Sequence, residues 1–219
     1  MIPSGYGDLS WILLGWLLAL LGYAVTLWGL RRQFRTMPLP WGALLIATGA
    51  LLVLWQIRAG TLPGLSLHLM GAMLSTLVFG PALAVLPLSV ALASVTLATG
   101  MDWSTFGLNA CLLVFWPVLV SRGLARLVSY LPSNIFVFIF LGGFFSSAAV
   151  VLLTGWLLTG VLWLMQLYPW GGMLEDFASY WLLVAFSEAW LSGMLLTVLV
   201  VYSPERVALF DAVRYIDRA

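Results

Sequence analysis

From Gly64 to Thr99 the chain reads GLSLHLMGAMLSTLVFGPALAVLPLSVALASVTLAT, without one Asp, Glu, Lys or Arg. Lipid offers no hydrogen-bond partner to a peptide group, so a crossing takes roughly 20 mostly apolar residues wound into a helix. This stretch is long enough for two crossings, and Pro81 divides them. Proline suits the first turn of a helix, where its missing N–H is not needed. The reading is therefore two spans, about 64–80 and 81–99, joined by a very tight connection. His68, the only His in the chain, lies near the outer end of the first of them.

The same pattern recurs on both sides. Spans are expected at about 10–30, 41–57, 105–121, 134–168 and 177–202, which makes seven in one membrane domain covering residues 1–219. The stretch 134–168 is far longer than one crossing needs. It reads as one strongly tilted helix or as a helix broken near Gly155 or Gly160. Composition agrees: of 219 residues 63% are hydrophobic and 8% charged, and the mean hydropathy is +1.09. A soluble domain carries about 25% charged residues, so a soluble globular protein is excluded. The fold class is an all-α integral membrane bundle in contact with lipid. With a net charge of +1, no Lys and no basic stripe, a nucleic-acid partner is excluded as well. A single Cys111 rules out a disulfide framework.

Charge placement orients the bundle. Cytoplasmic loops collect Arg and Lys. Seven spans with the N-terminus outside put Arg31, Arg32, Arg35, Arg122, Arg126, Arg206, Arg214 and Arg218 inside, and only Arg58 outside with Asp8, Asp102, Glu175 and Asp176. The C-terminus is then cytoplasmic. Asp8 ahead of the first span, with no basic residue there, argues against a cleavable signal peptide.

In so apolar a chain, polar residues at membrane depth carry the information. His68 reads as a metal ligand or as a hydrogen-bonded packing residue, with neutral imidazole the commonest metal ligand. Glu188 lies near the middle of the last span, roughly 16 Å in at helical rise. It is expected to be structural or to gate the bundle, well below His68. Asn109, about a turn into the fifth span, fits a supporting or interhelical hydrogen bonder better than a ligand. Asp102, just outside that span, reads as a solvated loop residue or helix cap. Met1, Met70, Met101, Met173 and Cys111 place soft sulfur toward the outer half, which suits Cu(I) or ordinary packing. Enzyme signatures are missing: Trp190-Leu191-Ser192-Gly193 lacks the first glycine of an intramembrane serine protease, and no zinc-protease, nucleotide-binding or dinucleotide motif occurs. The chain reads as a non-enzyme, and any nucleotide hydrolysis must come from another polypeptide.

Several runs resemble one family. His68-Leu69-Met70-Gly71-Ala72 followed by Phe79-Gly80-Pro81 is similar to its H-L-x-G-x … G-P pattern. Gly107-Leu108-Asn109-Ala110 resembles its G-A-N-A run, and Ser187-Glu188-Ala189 its late glutamate. Met1-Ile2-Pro3-Ser4-Gly5-Tyr6 looks like its M-H-I-P-D-G-F opening. The family is the substrate-binding membrane subunits (S components, CbiM/NikM type) of cobalt/nickel energy-coupling factor ABC transporters. The resemblance implies a seven-helix bundle in the bacterial inner (plasma) membrane, with no permanent cofactor. Its N-terminal segment plugs inward and offers a transition-metal cargo, Ni or Co ahead of Cu or Zn, a set of nitrogens. Those are the terminal amine, a backbone amide, a second-position His and the third-helix His. It also implies a coupling membrane protein and ATPase subunits on the cytoplasmic side. This sequence departs at the centre of that set: Ile2 stands where the family has His, and Ser4 replaces its Asp. The metal ligands expected here are His68 and Met1, with Asn109, Asp102 and Glu188 supporting or gating. The alternative is a membrane scaffold or assembly subunit that keeps the fold and has lost the cargo.

Overall fold

The computed structural model describes residues 1–2, 8–34, 40–62 and 65–215. Residues 3–7 of the opening motif, Arg35 of the charge count and Arg218 lie outside them. In chain order the elements are α1 (Leu9–Gln33), α2 (Trp41–Gln56), an antiparallel hairpin of β1 (Ala59–Leu62) and β2 (Leu65–Leu67), and α3 (Ala72–Phe79). There follow α4 (Pro81–Ala98), α5 (Trp103–Val128), α6 (Val137–Leu164), α7 (the helical stretch Trp170–Tyr202) and a short α8 (Ala212–Tyr215). Among the described residues, five helices are long and apolar enough to cross a membrane: α1, α4, α5, α6 and α7. The chain is a multi-pass membrane protein. Leu13, Leu17, Leu20 and Leu21 on α1 point outward, as residues solvated by lipid do.

The expected span 64–80 is not a membrane-crossing helix. It resolves into β2, a non-helical stretch at residues 68–71 and the eight-residue α3. The physical reason lies in the backbone. Gly71 has φ +67°, a left-handed conformation that stops a helix from running back through it. Irregular backbone at membrane depth is tolerated where protein groups satisfy it, and here other elements do so. Gly80, at φ +80°, then turns the chain into Pro81 at the start of α4, the tight junction read from the sequence.

The stretch 134–168 is one helix, continuous through Gly155 and Gly160 and ending at Leu164. It opens with a widened π-helical segment, Val137–Phe145. Similar π segments lie within α5 at Cys111–Phe115 and within α7 at Leu174–Ala178. Helix α5 runs to Val128 and the last helical stretch begins at Trp170, so both exceed the expected 105–121 and 177–202.

The seam that positions the site joins α1 to α5. A Cβ built on Gly15 would stand 2.7 Å from the Leu108 backbone nitrogen, and one on Gly107 2.8 Å from the Trp16 Cα. Two backbones in contact leave room for glycine alone, the close-approach logic of membrane helix pairs. Trp16 Nε1 donates to the Ser104 carbonyl at 3.0 Å. Farther along the same seam, Tyr23 meets Phe115 edge-on at 4.8 Å between centroids. Residues 15 and 22 thus face 108 and 115, and the two helices run parallel.

Candidate functional site

The chain begins inside the protein. Met1 and Ile2 are 3% and 0% exposed. Asn109, two residues past the glycine seam, grips them from α5. The Ile2 N–H donates to Asn109 Oδ1 at 2.7 Å, and Asn109 Nδ2 donates to the Ile2 carbonyl at 3.3 Å. One amide side chain therefore satisfies both main-chain polar groups of a buried residue, as a neighbouring strand would. The clamp leaves the Met1 amine sealed in the bundle. Burial, reinforced by the positive charge of Arg58, lowers its pKa from 8.0 to about 5. The amine is neutral at pH 7, and its lone pair is available to a cation.

His68 follows directly from the hairpin. Ala59 pairs with Leu67, so the antiparallel pairing brings the next residue back against α2. There the imidazole packs on Trp55 with ring centroids 4.4 Å apart. Nδ1 lies 3.0 Å from the Leu69 carbonyl. A carbonyl only accepts, so Nδ1 carries the proton and Nε2 keeps a free lone pair. The Met1 amine and Arg58 both lie within electrostatic range of the ring. Two nitrogen donors from opposite ends of the first third of the chain thus share one buried region.

Glu188 holds the stretch that carries His68. Its carboxylate oxygens accept the N–H of Met70 at 2.8 Å and of Gly71 at 2.6 Å, while Trp55 Nε1 donates to the Met70 carbonyl at 3.1 Å. Successive N–H groups at the start of α3 make a natural anion cradle, strengthened by the helix dipole. A Cβ on Gly71 would come within 2.6 Å of Leu51 Cδ2, so the close fit as well as φ requires glycine. Glu188 therefore meets backbone two and three residues past His68. The 68–71 stretch dips into the bundle instead of ending a helix at its surface, and meets α7 near its middle. Both oxygens of Glu188 are occupied by backbone donors.

Asp102 caps the first turn of α5, accepting from the Ser104 N–H at 2.9 Å, and that bond lowers its pKa. It is exposed, whereas Met1 and His68 are buried. Among the sulfur atoms, Met1, Met70 and Met173 are buried in the main core and Met101 packs at its edge. Cys111 points its thiol at the Gly15 carbonyl, 3.4 Å away, and so belongs to the α1/α5 seam. No three His, Cys, Asp or Glu side chains converge among the described residues. A cation bound here would rely on the chain's own amine and one imidazole. Trp55 was missed from the sequence, where it reads as one more apolar helix residue; only the pairing of hairpin with α2 reveals its two contacts.

Over residues 2–206 the sequence matches the family described as the cobalt uptake substrate-specific transmembrane region. The chain belongs to that family. No curated protein matches it in sequence. Two solved structures share the family member's fold. One is described as a truncated transition metal transporter, with TM-score 0.72, 19% identity, and 92% of this chain and 98% of that chain covered. The other is described as a transition metal transporter, with TM-score 0.71, 20% identity, and 90% and 91% covered. Within the matched region, position 2 is a fully buried isoleucine.

Proposed function

We propose that the protein is the substrate-capture subunit of an energy-coupling factor type uptake transporter for a transition-metal ion. The observation that carries this reading is the sealed Met1 chain end, clamped by Asn109, in the same buried region as a His68 whose Nε2 has no hydrogen-bond partner among the described residues. The ion enters with the N-terminus on the outer face and is held by the Met1 amine and His68. Water or a buried thioether completes the set. Two nitrogens instead of four make a poorer match to Ni(II) or Cu(II), which favour tetragonal nitrogen sets, so weaker binding or a different ion is expected. A coupling membrane protein and ATPase subunits on the cytoplasmic side supply the energy, since no nucleotide motif occurs in this chain.

The buried Ile2 favours a second reading, a membrane scaffold or assembly subunit that has kept the fold and lost the cargo. Metal analysis of the purified protein with its native N-terminus and any tag at the C-terminus separates the two. Ni(II), Co(II), Zn(II) and Cu(I) are titrated into it and into His68→Ala. Binding near one ion per chain that His68→Ala abolishes supports capture and names the metal. No binding by any of the four overturns it in favour of the scaffold.

A further inference from the structure

A cleft of about 980 Å³ opens between α1 and α5 at the end away from the Met1–His68 region. It runs from Leu18 and Cys111 past the contact of Phe115 with Gly22 and on toward the ends of both helices. Its apolar walls include Leu21, Val25 and Leu119, each about 60% exposed and facing the bilayer. At its far end stand Arg32, Arg122 and Arg126. Arg32 stacks on the Trp28 ring, with Cζ 3.6 Å from the centroid. Arg126 Nε donates to the Tyr130 hydroxyl at 3.2 Å. Among the described residues none of the three is paired with a carboxylate, and the cleft lining contains no Asp or Glu. Arg214 nearby differs, spending its guanidinium on the Ser129 carbonyl and Ser133 Oγ.

Length decides what fits. From Phe115 to Arg126 the helix rises roughly 16 Å, about half of the hydrocarbon core of a bilayer, or one leaflet. The trough is therefore one acyl chain deep, open sideways to lipid, and closed at headgroup level by three guanidinium groups. Guanidinium forks match phosphate oxygens in bidentate fashion, and basic pockets between membrane helices suit anionic headgroups. We propose that this cleft binds one anionic phospholipid, its acyl chain along Leu21, Val25 and Leu119 and its phosphate on Arg32, Arg122 and Arg126. The site is separate from cargo capture, since Arg122 lies 13 residues beyond Asn109 on α5, roughly 20 Å at helical rise.

The test is native mass spectrometry of the intact, detergent-solubilised protein titrated with phosphatidylglycerol and, separately, phosphatidylcholine. Phosphatidylglycerol is expected to bind about tenfold more tightly, the scale of a charge-assisted hydrogen bond. Arg122→Gln with Arg126→Gln brings it down to the phosphatidylcholine level, and Leu119→Trp, which fills the trough, weakens both lipids alike. Arg32→Gln alone serves if the double variant does not fold. Glycerol phosphate at millimolar concentration leaves the bound lipid in place. Equal affinity for the two lipids, a preference that survives the arginine variants, or displacement by glycerol phosphate overturns the proposal. So does a photo-crosslinker at position 119 that captures a polypeptide instead of lipid in native membranes.

Discussion

Asn109 and Glu188 each hold a buried piece of backbone, and they do it differently. Asn109 is neutral, offers one donor and one acceptor, and clamps a chain end that arrives from elsewhere. Glu188 is an acceptor only and grips two successive N–H groups at the start of α3. An amide can satisfy a peptide's two opposite polarities, while a carboxylate suits a helix N-terminus where every free group is a donor. The first clamp sets where the amine sits; the second sets where the imidazole sits. The difference predicts that losing Glu188 disturbs the whole bundle and that losing Asn109 releases only the terminus.

Glu188→Ala should therefore have the largest effect. It orphans two buried N–H groups, and hydrogen bonds to a charged group are worth about 1.5–3 kcal/mol each. A loss of about 3–5 kcal/mol is expected in thermal or denaturant unfolding of the solubilised protein. Glu188→Gln should fall between it and wild type, because one oxygen is replaced by a donor that faces another donor. Equal stability of the alanine variant and wild type would remove Glu188 from its role as the support of residues 68–71.

Asn109→Ala should cost less globally, about 1–3 kcal/mol, and should act locally. Hydrogen exchange at the Ile2 amide is expected to accelerate at least about tenfold while α6 and α7 keep their protection. Spread of the faster exchange to those helices would show that the two clamps are not independent.

The Met1 amine gives the comparison a pH axis. Its pKa in the docked state is about 5, against 8.0 for a free terminus. Between those values the released terminus binds a proton that the docked one excludes, so docking strengthens as pH rises through this window and is fully developed above pH 8. Lowering the pH from 8 to 5.5 should progressively speed exchange at Ile2, beyond the intrinsic pH effect on exchange, and leave the Glu188-held stretch less affected. Equal sensitivity of both regions to pH would argue that burial of the amine is not what couples docking to protons.

Asp102→Ala should change metal binding by about twofold or less, the ordinary scale of an exposed substitution. A larger loss of metal binding would move Asp102 from a helix cap to part of the route into the site.

Membrane insertion, the long apolar helices, the junction at Gly80-Pro81 and the presence of His68, Asn109 and Glu188 as polar groups within apolar stretches could all be read from the sequence. Each depends on local hydropathy or on the rarity of a polar group in lipid, and both are properties of the chain itself. Residues 64–80 were misread for the same reason: periodicity and hydropathy do not distinguish one spanning helix from a strand followed by a short helix when the stretch is mostly apolar. The backbone decides that case, through a positive φ at Gly71 and through donors that find their acceptors 117 and 118 residues away on Glu188. The neutral amine, the free Nε2 and the stacking of Trp55 on His68 were likewise decided by tertiary structure alone. They depend on which distant groups share a volume that excludes water, and local composition does not encode that.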